Sequence, residues 1–179
     1  MNNPADSLSA IRAHIRDVPD FPSPGILFKD ITPLLRNAEA FALAVEGLSA
    51  LAVDCDLIAG VEARGFIFGS AIASRLGKGF VPIRKSGKLP AASYSESYSL
   101  EYGENVLQIH QDAVKSGERV MLIDDVLATG GTLGAAAKLI ERCGGSVESI
   151  AVLMEIEGLG GHENFAKQFA SLKIHTLLK

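Results

Sequence analysis

Short apolar segments recur along this chain, and each is followed by a stretch with helical spacing. The strand candidates are residues 56–61, 80–83, 119–124 and 147–154, and the clearest helix candidates between them are 66–76 and 132–143. Strands that are buried on both faces are continuously apolar, which is typical of parallel sheets covered by helices. The alternation predicts an α/β fold with a central, mainly parallel sheet flanked by helices. Ligands bind such sheets at the carboxyl ends of the strands.

Length and composition favour one domain spanning residues 1–179. Hydrophobic residues make up 47% of the chain and charged residues 21%, and no apolar run approaches the roughly 18 residues that a membrane span needs. The N-terminus lacks the apolar core of a signal peptide, and Cys55 and Cys143 lack metal-binding spacing. We expect a cytoplasmic protein that does not associate with a membrane. A net charge of −4 argues against a nucleic-acid surface.

Two segments break the alternation. Residues 17–35 contain four of the seven prolines, which excludes a regular helix, yet they remain apolar and should pack on the core. Residues 84–103 show no apolar periodicity, which predicts a long structureless loop, and such loops are usually lids or disordered segments. Residues 106–110 alternate and indicate an edge or hairpin strand.

The segment VMLIDDVLATGGTL, residues 120–133, combines an apolar strand, two acids and a loop of small residues. Successive strand side chains point to opposite faces, so either the chain turns at Asp124 and Asp125 or the two acids have different roles. Glycines and a helix N-terminus suit a phosphate, whereas carboxylates accept hydrogen bonds from hydroxyls. An ordinary strand-to-helix turn would explain the loop alone. The combination favours a sugar phosphate, with Mg²⁺ nearby.

At this point the chain resembles a known family. VMLIDDVLATGGT resembles the motif by which type I phosphoribosyltransferases bind phosphoribosyl pyrophosphate (PRPP). The segments DFPSPGILFKDITPLL, EARGFIFG, RKSGKLP and YSLEYG resemble signatures of the adenine-specific branch, in the same order. The resemblance covers about residues 7–154. It implies the type I phosphoribosyltransferase fold, with a small N-terminal hood (about residues 1–36) and a flexible catalytic loop (about residues 84–103).

The resemblance also implies a reaction and a set of PRPP ligands. The 5-phosphoribosyl group passes from PRPP to adenine, giving AMP and pyrophosphate, a purine salvage step. Asp124 and Asp125 would hold the ribose hydroxyls, and Arg64 would meet the pyrophosphate. The 5′-phosphate would lie in a loop of Ala128, Thr129, Gly130, Gly131 and Thr132. The pyrophosphate would also be met by Arg84, Lys85 and Lys88. Taken alone, Arg64 is a surface arginine at a turn, and residues 84–88 are a solvated basic turn.

Further roles follow from the same resemblance. Glu101 would act near the base and the anomeric carbon, with Tyr102 against the reacting sugar or pyrophosphate and Arg64 completing the catalytic set. Adenine would bind through Ile26, Leu27, Phe28 and Lys29, where Phe28 stacks on the base and main-chain groups recognise its edge. A hydrophobic strap over the core is the competing interpretation of this segment. Mg²⁺ is the implied cofactor, held mainly through PRPP, with no direct protein ligand assigned. The family is usually dimeric, which implies a homodimer.

Two other functions compete with this one. A PRPP-sensing repressor would reuse the fold, but it carries a DNA-binding domain for which this chain has no room. A phosphoribosyltransferase for another purine base is the second, and the segment FPSPGILFKDITP argues against it. The four histidines show no ligand spacing, so we expect them to be structural or on the surface.

Overall fold

The computed structural model describes residues 4–52, 54–99 and 104–178. Its strands, in chain order, are β1 Arg16–Pro19, β2 Leu27–Asp30, β3 Leu57–Val61, β4 Gly79–Lys85, β5 Ser93–Ser99, β6 Glu104–His110, β7 Arg119–Leu127, β8 Ser146–Glu155 and β9 Ile174–Leu178. Its helices are α1 Pro4–Arg12, α2 Thr32–Arg36, α3 Ala38–Ser49, α4 Arg64–Leu76, α5 Gly131–Arg142 and α6 Gly161–Ala166.

Seven strands form the central sheet in the order β5-β6-β4-β3-β7-β8-β9. The five strands from β4 to β9 in this order are parallel, whereas β6 runs antiparallel to β4 and to β5. The predicted α/β class with a mainly parallel sheet is therefore confirmed. The carboxyl ends of β3, β4 and β7 lie next to one another, because β3 pairs with both of the other strands.

Helices cover both faces of the sheet. On one face α1, α2, α3 and α4 enclose a core that includes Leu48, Phe68 and Met121, all with less than 2% exposure. On the other face α5 packs on Leu122 and Val152. From Val120 to Ile123 the side chains of β7 alternate between the two cores, with Met121 and Ile123 in the first and Val120 and Leu122 in the second. Buried on both faces, the central strands are continuously apolar for this reason.

The N-terminal segment forms a separate two-stranded sheet, the hood hairpin (residues 16–30). Strands β1 and β2 pair antiparallel, with Arg16 opposite Asp30 and their side chains 2.5 Å apart. The rings of Phe21 and Phe28 meet edge to face, with centroids 5.1 Å apart. Proline excludes helix from most of the segment, but the short helix α2 follows with a proline in its first turn, where no N–H is needed.

The predicted structureless loop over residues 84–103 is wrong for residues 84–85, which end β4, and for residues 93–99, whereas residues 86–92 form no helix or strand. Residues 93–99 form β5, which pairs along its whole length with β6 from Ser93–His110 to Ser99–Glu104. The side chains of Tyr94 and Tyr98 alternate with serines and pack against the core. This period of two is a strand signal, and the aromatic residues supply the apolar face.

The C-terminal part adds one helix and one strand. Helix α6, Gly161–Ala166, lies between β8 and β9, and β9 forms one edge of the sheet beside β8. Across the described residues, no helix is both long enough and apolar enough to cross a membrane.

Candidate active site

Two adjacent acids lie inside β7, which runs three residues further than the sequence predicted. Asp124 and Asp125 are 9% and 4% exposed, and β7 stays paired with β8 through Val126 and Leu127, so the chain does not leave the sheet at the acids. The side chains no longer alternate regularly here, because Ile123 and Val126 pack in the first core and Leu127 packs in the second. The two carboxyls interact with each other and with Arg64, so both lie at the start of α4.

Burial sets the charge of this acid pair. It raises the pKa of Asp124 well above its ordinary value, and the neighbouring Asp125 charge adds to the effect. Burial also raises the pKa of Asp125, although the Arg64 charge opposes it. The backbone N–H of Asp125 donates to Asp124 Oδ1 at 2.9 Å. Both carboxyls therefore bind a proton more tightly than an exposed aspartate does.

Arg64 is the cation of this site. It is the first residue of α4, and its Nε lies 3.0 Å from Asp125 Oδ2. The N–H is not aimed at that oxygen, which has an ion pair but no hydrogen bond among the described residues. The same guanidinium lies over the Phe28 ring, 5.1 Å from its centroid, and Nη1 donates to the Lys29 carbonyl at 3.4 Å. Arg64 therefore connects the hood hairpin to the acid pair.

Gly60 and Gly65 allow the start of α4 to lie directly against β3 and β7. A Cβ on Gly65 would lie 2.8 Å from the Ile123 carbonyl oxygen and 3.1 Å from Asp124 Oδ1. A Cβ on Gly60 would lie 2.8 Å from the Gly65 carbonyl oxygen. The peptide bond between Glu62 and Ala63, within the turn before Arg64, is cis. Any larger side chain at Gly65 would push α4 and Arg64 away from the acids.

The phosphate loop (residues 128–132) joins β7 to α5. Gly130 has φ +86°, a conformation that favours glycine, and α5 begins at Gly131 without a side-chain cap. The first N–H groups of a helix have no partner inside it, so they are available to an anion. Ala128, Thr129, Gly131 and Thr132 are partly exposed, and Gly130 is buried.

The phosphate loop is supported from behind by α6, a contact that the sequence did not reveal. A Cβ on Gly130 would lie 2.7 Å from the Gly161 carbonyl oxygen, and a Cβ on Gly161 would lie 2.4 Å from the Ala128 carbonyl oxygen. Two backbones at this distance require glycine on both sides. The only sequence signal was the pair Gly160-Gly161, at which the resemblance faded.

The basic turn (residues 84–88) follows β4 at the same end of the sheet. Arg84 is half-buried, and Lys85 and Lys88 are exposed. Glu62, at the end of β3, accepts hydrogen bonds from Arg84 Nε at 3.2 Å and Nη2 at 3.3 Å. The structure therefore places the basic turn beside residues 62–65, although it shows no contact between these cations and the acid pair.

The hood hairpin offers both side chains and main chain to a ligand. The Lys29 carbonyl accepts from Arg64, so it points away from β1. In an antiparallel pair the N–H and C=O of one residue point the same way, so the Lys29 N–H points away from β1 as well. Leu27, two residues earlier, has the same orientation. Leu27 and Lys29 line a cavity of 540 Å³ with residues 154–157 at the end of β8. Ile26 is 42% exposed, whereas Ile31 is buried.

Two predicted catalytic residues, Glu101 and Tyr102, lie outside the described residues. They fall between β5 and β6, the two arms of the hairpin at the edge of the sheet. The hairpin is attached to α5 by Arg142, which donates to the Ser95 carbonyl at 3.1 Å and stacks on Tyr94.

Metal-binding side chains do not cluster in the described part of the chain, where no three of the His, Cys, Asp and Glu side chains are placed to hold a metal ion. His14 bonds the Ala10 carbonyl and Asn37, and His162 contacts Thr176 and Glu155, so both rings are held by neighbouring protein groups. Cys55 is buried and Cys143 half-buried, and both are free thiols.

Comparison with known proteins agrees with this geometry. The model of the phosphoribosyl transferase domain family matches residues 34–173. An adenine phosphoribosyltransferase of Nocardioides sp. is 54% identical over 165 residues, which cover 89% of this chain and 89% of that protein. The chain belongs to the adenine phosphoribosyltransferase family. Another member of the family, from Carboxydothermus hydrogenoformans, is 52% identical over 171 residues, covering 94% of this chain and 98% of its own.

Solved structures of the family superpose closely on this chain. The enzyme of Thermoanaerobacter pseudethanolicus has a TM-score of 0.88 at 50% identity, covering 95% of this chain and 98% of that one. The enzyme of Saccharomyces cerevisiae, solved with an imino-altritol bisphosphate and adenine, has a TM-score of 0.90 at 34% identity, covering 97% and 99%. The fold predicted from the sequence is therefore that of the family.

Proposed function

We propose that this chain transfers the 5-phosphoribosyl group from PRPP to adenine, giving AMP and pyrophosphate in purine salvage. The observation that supports it most strongly is the position of Arg64 between the acid pair and the hood hairpin. A ribose site and a flat-base site must lie next to each other for this reaction, and one guanidinium contacts the candidate residues of both.

We assign the ribose hydroxyls to the acid pair and the 5′-phosphate to the phosphate loop. Carboxylates accept hydrogen bonds from hydroxyls, and the exposed N–H groups at the start of α5 donate to a phosphate. The Arg64 charge, 3.0 Å from Asp125, offsets part of the repulsion between the acid pair and the polyanionic substrate. Ala128, Thr129, Gly130, Gly131 and Thr132 surround the phosphate in this proposal.

Pyrophosphate departs toward Arg64 and the basic turn. Lys85 and Lys88 are exposed at the end of β4, where the departing charge can reach them. Asp124 and Asp125 are carboxylates of the proposed site that Mg²⁺ could share, which fits an ion held mainly by the oxygens of PRPP. When bound, Mg²⁺ would neutralise part of the pyrophosphate charge. Positioning and charge stabilisation supply most of the catalysis.

Glu101 is the proposed acid-base residue, and Tyr102 would contact the sugar or pyrophosphate beside it. A carboxylate near the anomeric carbon stabilises an oxocarbenium-like centre, and it also accepts the proton that adenine loses as its nitrogen bonds to the sugar. This part of the proposal comes from the resemblance, since both residues lie outside the described structure.

Adenine binds at the hood hairpin in this proposal. Phe28 provides a flat apolar face, and the outward N–H and C=O groups of Leu27 and Lys29 provide donors and acceptors for the edge of the base. Ile26 is exposed beside them and closes the base site. Arg64 already stacks on Phe28, so the ring lies within reach of the ribose acids.

We further propose a homodimer in the cytoplasm. Large apolar side chains are exposed on the hood hairpin and α4, at 51% for Phe21, 47% for Leu27 and 36% for Ile67, and a second copy would cover them. The two free thiols are compatible with a reducing compartment. Light scattering on the purified protein measures the assembly directly, and a mass of one chain would contradict the dimer.

A base-specificity assay tests the function. Purified protein is given PRPP and Mg²⁺ with adenine, hypoxanthine or guanine, and each nucleotide product is quantified by chromatography. We expect AMP from adenine and little product from the other bases. IMP or GMP without AMP would contradict the assignment of the base, and no product from any base would contradict the reaction.

A further inference from the structure

Glu62 makes three hydrogen bonds across the end of the sheet, from β3 to β4. Its Oε2 accepts from Arg84 Nε at 3.2 Å and from the Lys85 backbone N–H at 3.1 Å, and its Oε1 accepts from Arg84 Nη2 at 3.3 Å. The Glu62 N–H also donates to the Ile83 carbonyl at 2.9 Å. The bidentate arrangement fixes the plane of the guanidinium as well as its position.

This carboxylate is mostly shielded from solvent. The Glu62 side chain is 17% exposed and that of Arg84 is 32% exposed. Burial alone would raise the pKa of Glu62, but hydrogen bonds from Arg84 and Lys85 outweigh it, and the pKa is lowered. Glu62 is therefore ionised at neutral pH. Removing it would leave the partly buried guanidinium of Arg84 without its counter-charge.

Arg84, held by Glu62, in turn fixes the conformation of the basic turn. Its third nitrogen, Nη1, donates to the Lys88 carbonyl at 3.0 Å, which curves the chain back after β4. The Gly87 N–H donates to Gln108 Oε1 at 2.9 Å, so β6 anchors the turn from the other side. The main chain of Lys85 and that of Lys88 are thereby fixed through Glu62, directly and through Arg84.

We propose that Glu62 is a positioning residue for PRPP, which holds Arg84 and the basic turn in the geometry that receives the pyrophosphate. The proposal rests on the PRPP site proposed above. Glu62 itself does not touch the substrate in this proposal, because its two oxygens are occupied by Arg84 and the Lys85 N–H.

The direction in which Glu62→Gln changes the KM for PRPP separates this role from a simple charge effect. Glu62→Gln removes a negative charge beside a site for a polyanion, so electrostatics alone would lower the KM for PRPP. If Glu62 holds the basic turn in place, the same substitution raises that KM. Gln keeps the size of the side chain, yet its NH₂ group faces a guanidinium that can only donate.

The chain contains a matched control at the opposite end of β3. Asp56 accepts from Arg119 Nε at 3.1 Å, Arg119 Nη2 at 2.9 Å and the Arg119 backbone N–H at 2.9 Å. The pattern of three hydrogen bonds is the same as at Glu62, but it lies at the amino ends of the parallel strands. Asp56→Asn therefore removes a comparable carboxylate–arginine pair away from the proposed site.

The experiment measures steady-state kinetics and thermal unfolding for the wild type, Glu62→Gln, Arg84→Ala, the double variant and Asp56→Asn. Losing charged hydrogen bonds of this kind should raise the KM for PRPP about tenfold in Glu62→Gln, with kcat and the KM for adenine within about twofold of the wild type. Asp56→Asn should leave all three constants unchanged. The double variant should lose less than the sum of the two single changes, because part of the effect of Glu62 passes through Arg84 and part passes directly through the Lys85 N–H.

Three results would overturn the proposal. The first is a KM for PRPP that falls or stays constant in Glu62→Gln, and the second is additive effects in the double variant. The third is an equal loss in Asp56→Asn, which would mark a general loss of stability. A wild type that forms no AMP would instead contradict the proposed function, so the two failures are distinguishable.

Discussion

Gly161→Ala separates two physical effects at the back of the phosphate loop. Gly161 is the first residue of α6, where alanine is intrinsically favoured over glycine by about 1 kcal/mol. The added Cβ, however, would lie 2.4 Å from the Ala128 carbonyl oxygen and 2.7 Å from Leu127 Cγ. The carbonyl is backbone and cannot rotate away as a side chain would, so the loop or the helix must move by about 1 Å.

The overlap outweighs the propensity. Overpacking of a well-packed site typically costs about 1–3 kcal/mol, and a backbone partner places this substitution in the upper half of that range. After the gain in helix propensity, we expect a net destabilisation of about 1–2 kcal/mol. For a domain of this size, that lowers the melting temperature by about 2–8 °C.

The same movement should weaken PRPP binding. Ala128 begins the phosphate loop, and a misplacement of about 1 Å can cost up to about 100-fold in rate. We expect the KM for PRPP to rise about tenfold while the KM for adenine stays within about twofold. Thermal unfolding by fluorescence and initial rates of AMP formation measure both effects.

Gly134→Ala is the matched control inside α5. Its Cβ would lie 3.6 Å from Phe169 Cε2, an ordinary contact, and its backbone is helical. Relief of the glycine penalty should therefore raise the melting temperature by about 1–4 °C with unchanged kinetics. If Gly161→Ala were stabilised to the same degree, or kept the wild-type KM for PRPP, the close support of the phosphate loop by α6 would be refuted.

Three further substitutions test the proposed site. Asp124→Asn should raise the melting temperature at pH 8, because the pKa of the native acid is raised and the stability of the wild type falls as pH rises above the ordinary pKa of an aspartate. The difference in melting temperature between the variant and the wild type should therefore shrink as pH falls toward 4. A difference that does not depend on pH would contradict the burial argument. Glu101→Gln should lower kcat more than it weakens PRPP binding, and an unchanged rate in single-turnover mixing would remove the catalytic role. Phe28→Leu keeps apolar volume but loses the flat face, so the KM for adenine should rise about tenfold while that for PRPP changes little; equal changes in both would count against stacking.

Local patterns were sufficient for most of the secondary structure. Asn37 is of a residue type that caps helices, and its side chain accepts from the Ala40 N–H at 2.9 Å at the start of α3. Capping and apolar periodicity depend on residues within one or two turns, so the sequence contains the required information. The end of β7 was placed too early, because two acids count against a strand. Their burial depends on Arg64, which lies far from them in the sequence.

The hairpin of β5 and β6 was missed for a different reason. Residues 93–99 contain no leucine, isoleucine or valine, so the segment has no aliphatic periodicity. Tyr94 and Tyr98 lie at even-numbered positions between serines, and both are partly buried against the core. An amphipathic aromatic residue can therefore complete a strand whose other side chains are all polar.

The segments that form the candidate site were predicted from the sequence, but the contacts between these segments were not. The acid pair, the phosphate loop and the hood segment each carry a local motif, but the contacts among them join residues far apart in the sequence. Glu62 and Arg84 are 22 positions apart, and Arg64 and Lys29 are 35 apart. Such pairs depend on which strands become neighbours, and that order is a property of the whole sheet.

Arg64 shows why these connections matter for function. Its motif alone indicates a cation at the start of a helix, suited to the leaving pyrophosphate. In the structure its charge is already met by Asp125, its flat face by Phe28 and one N–H by the Lys29 carbonyl. A pyrophosphate that engages Arg64 must compete with these partners, so any movement of the guanidinium is transmitted to the ribose acids and to the hood hairpin. One residue thereby links the three parts of the proposed site, and no single motif in the sequence could have indicated this.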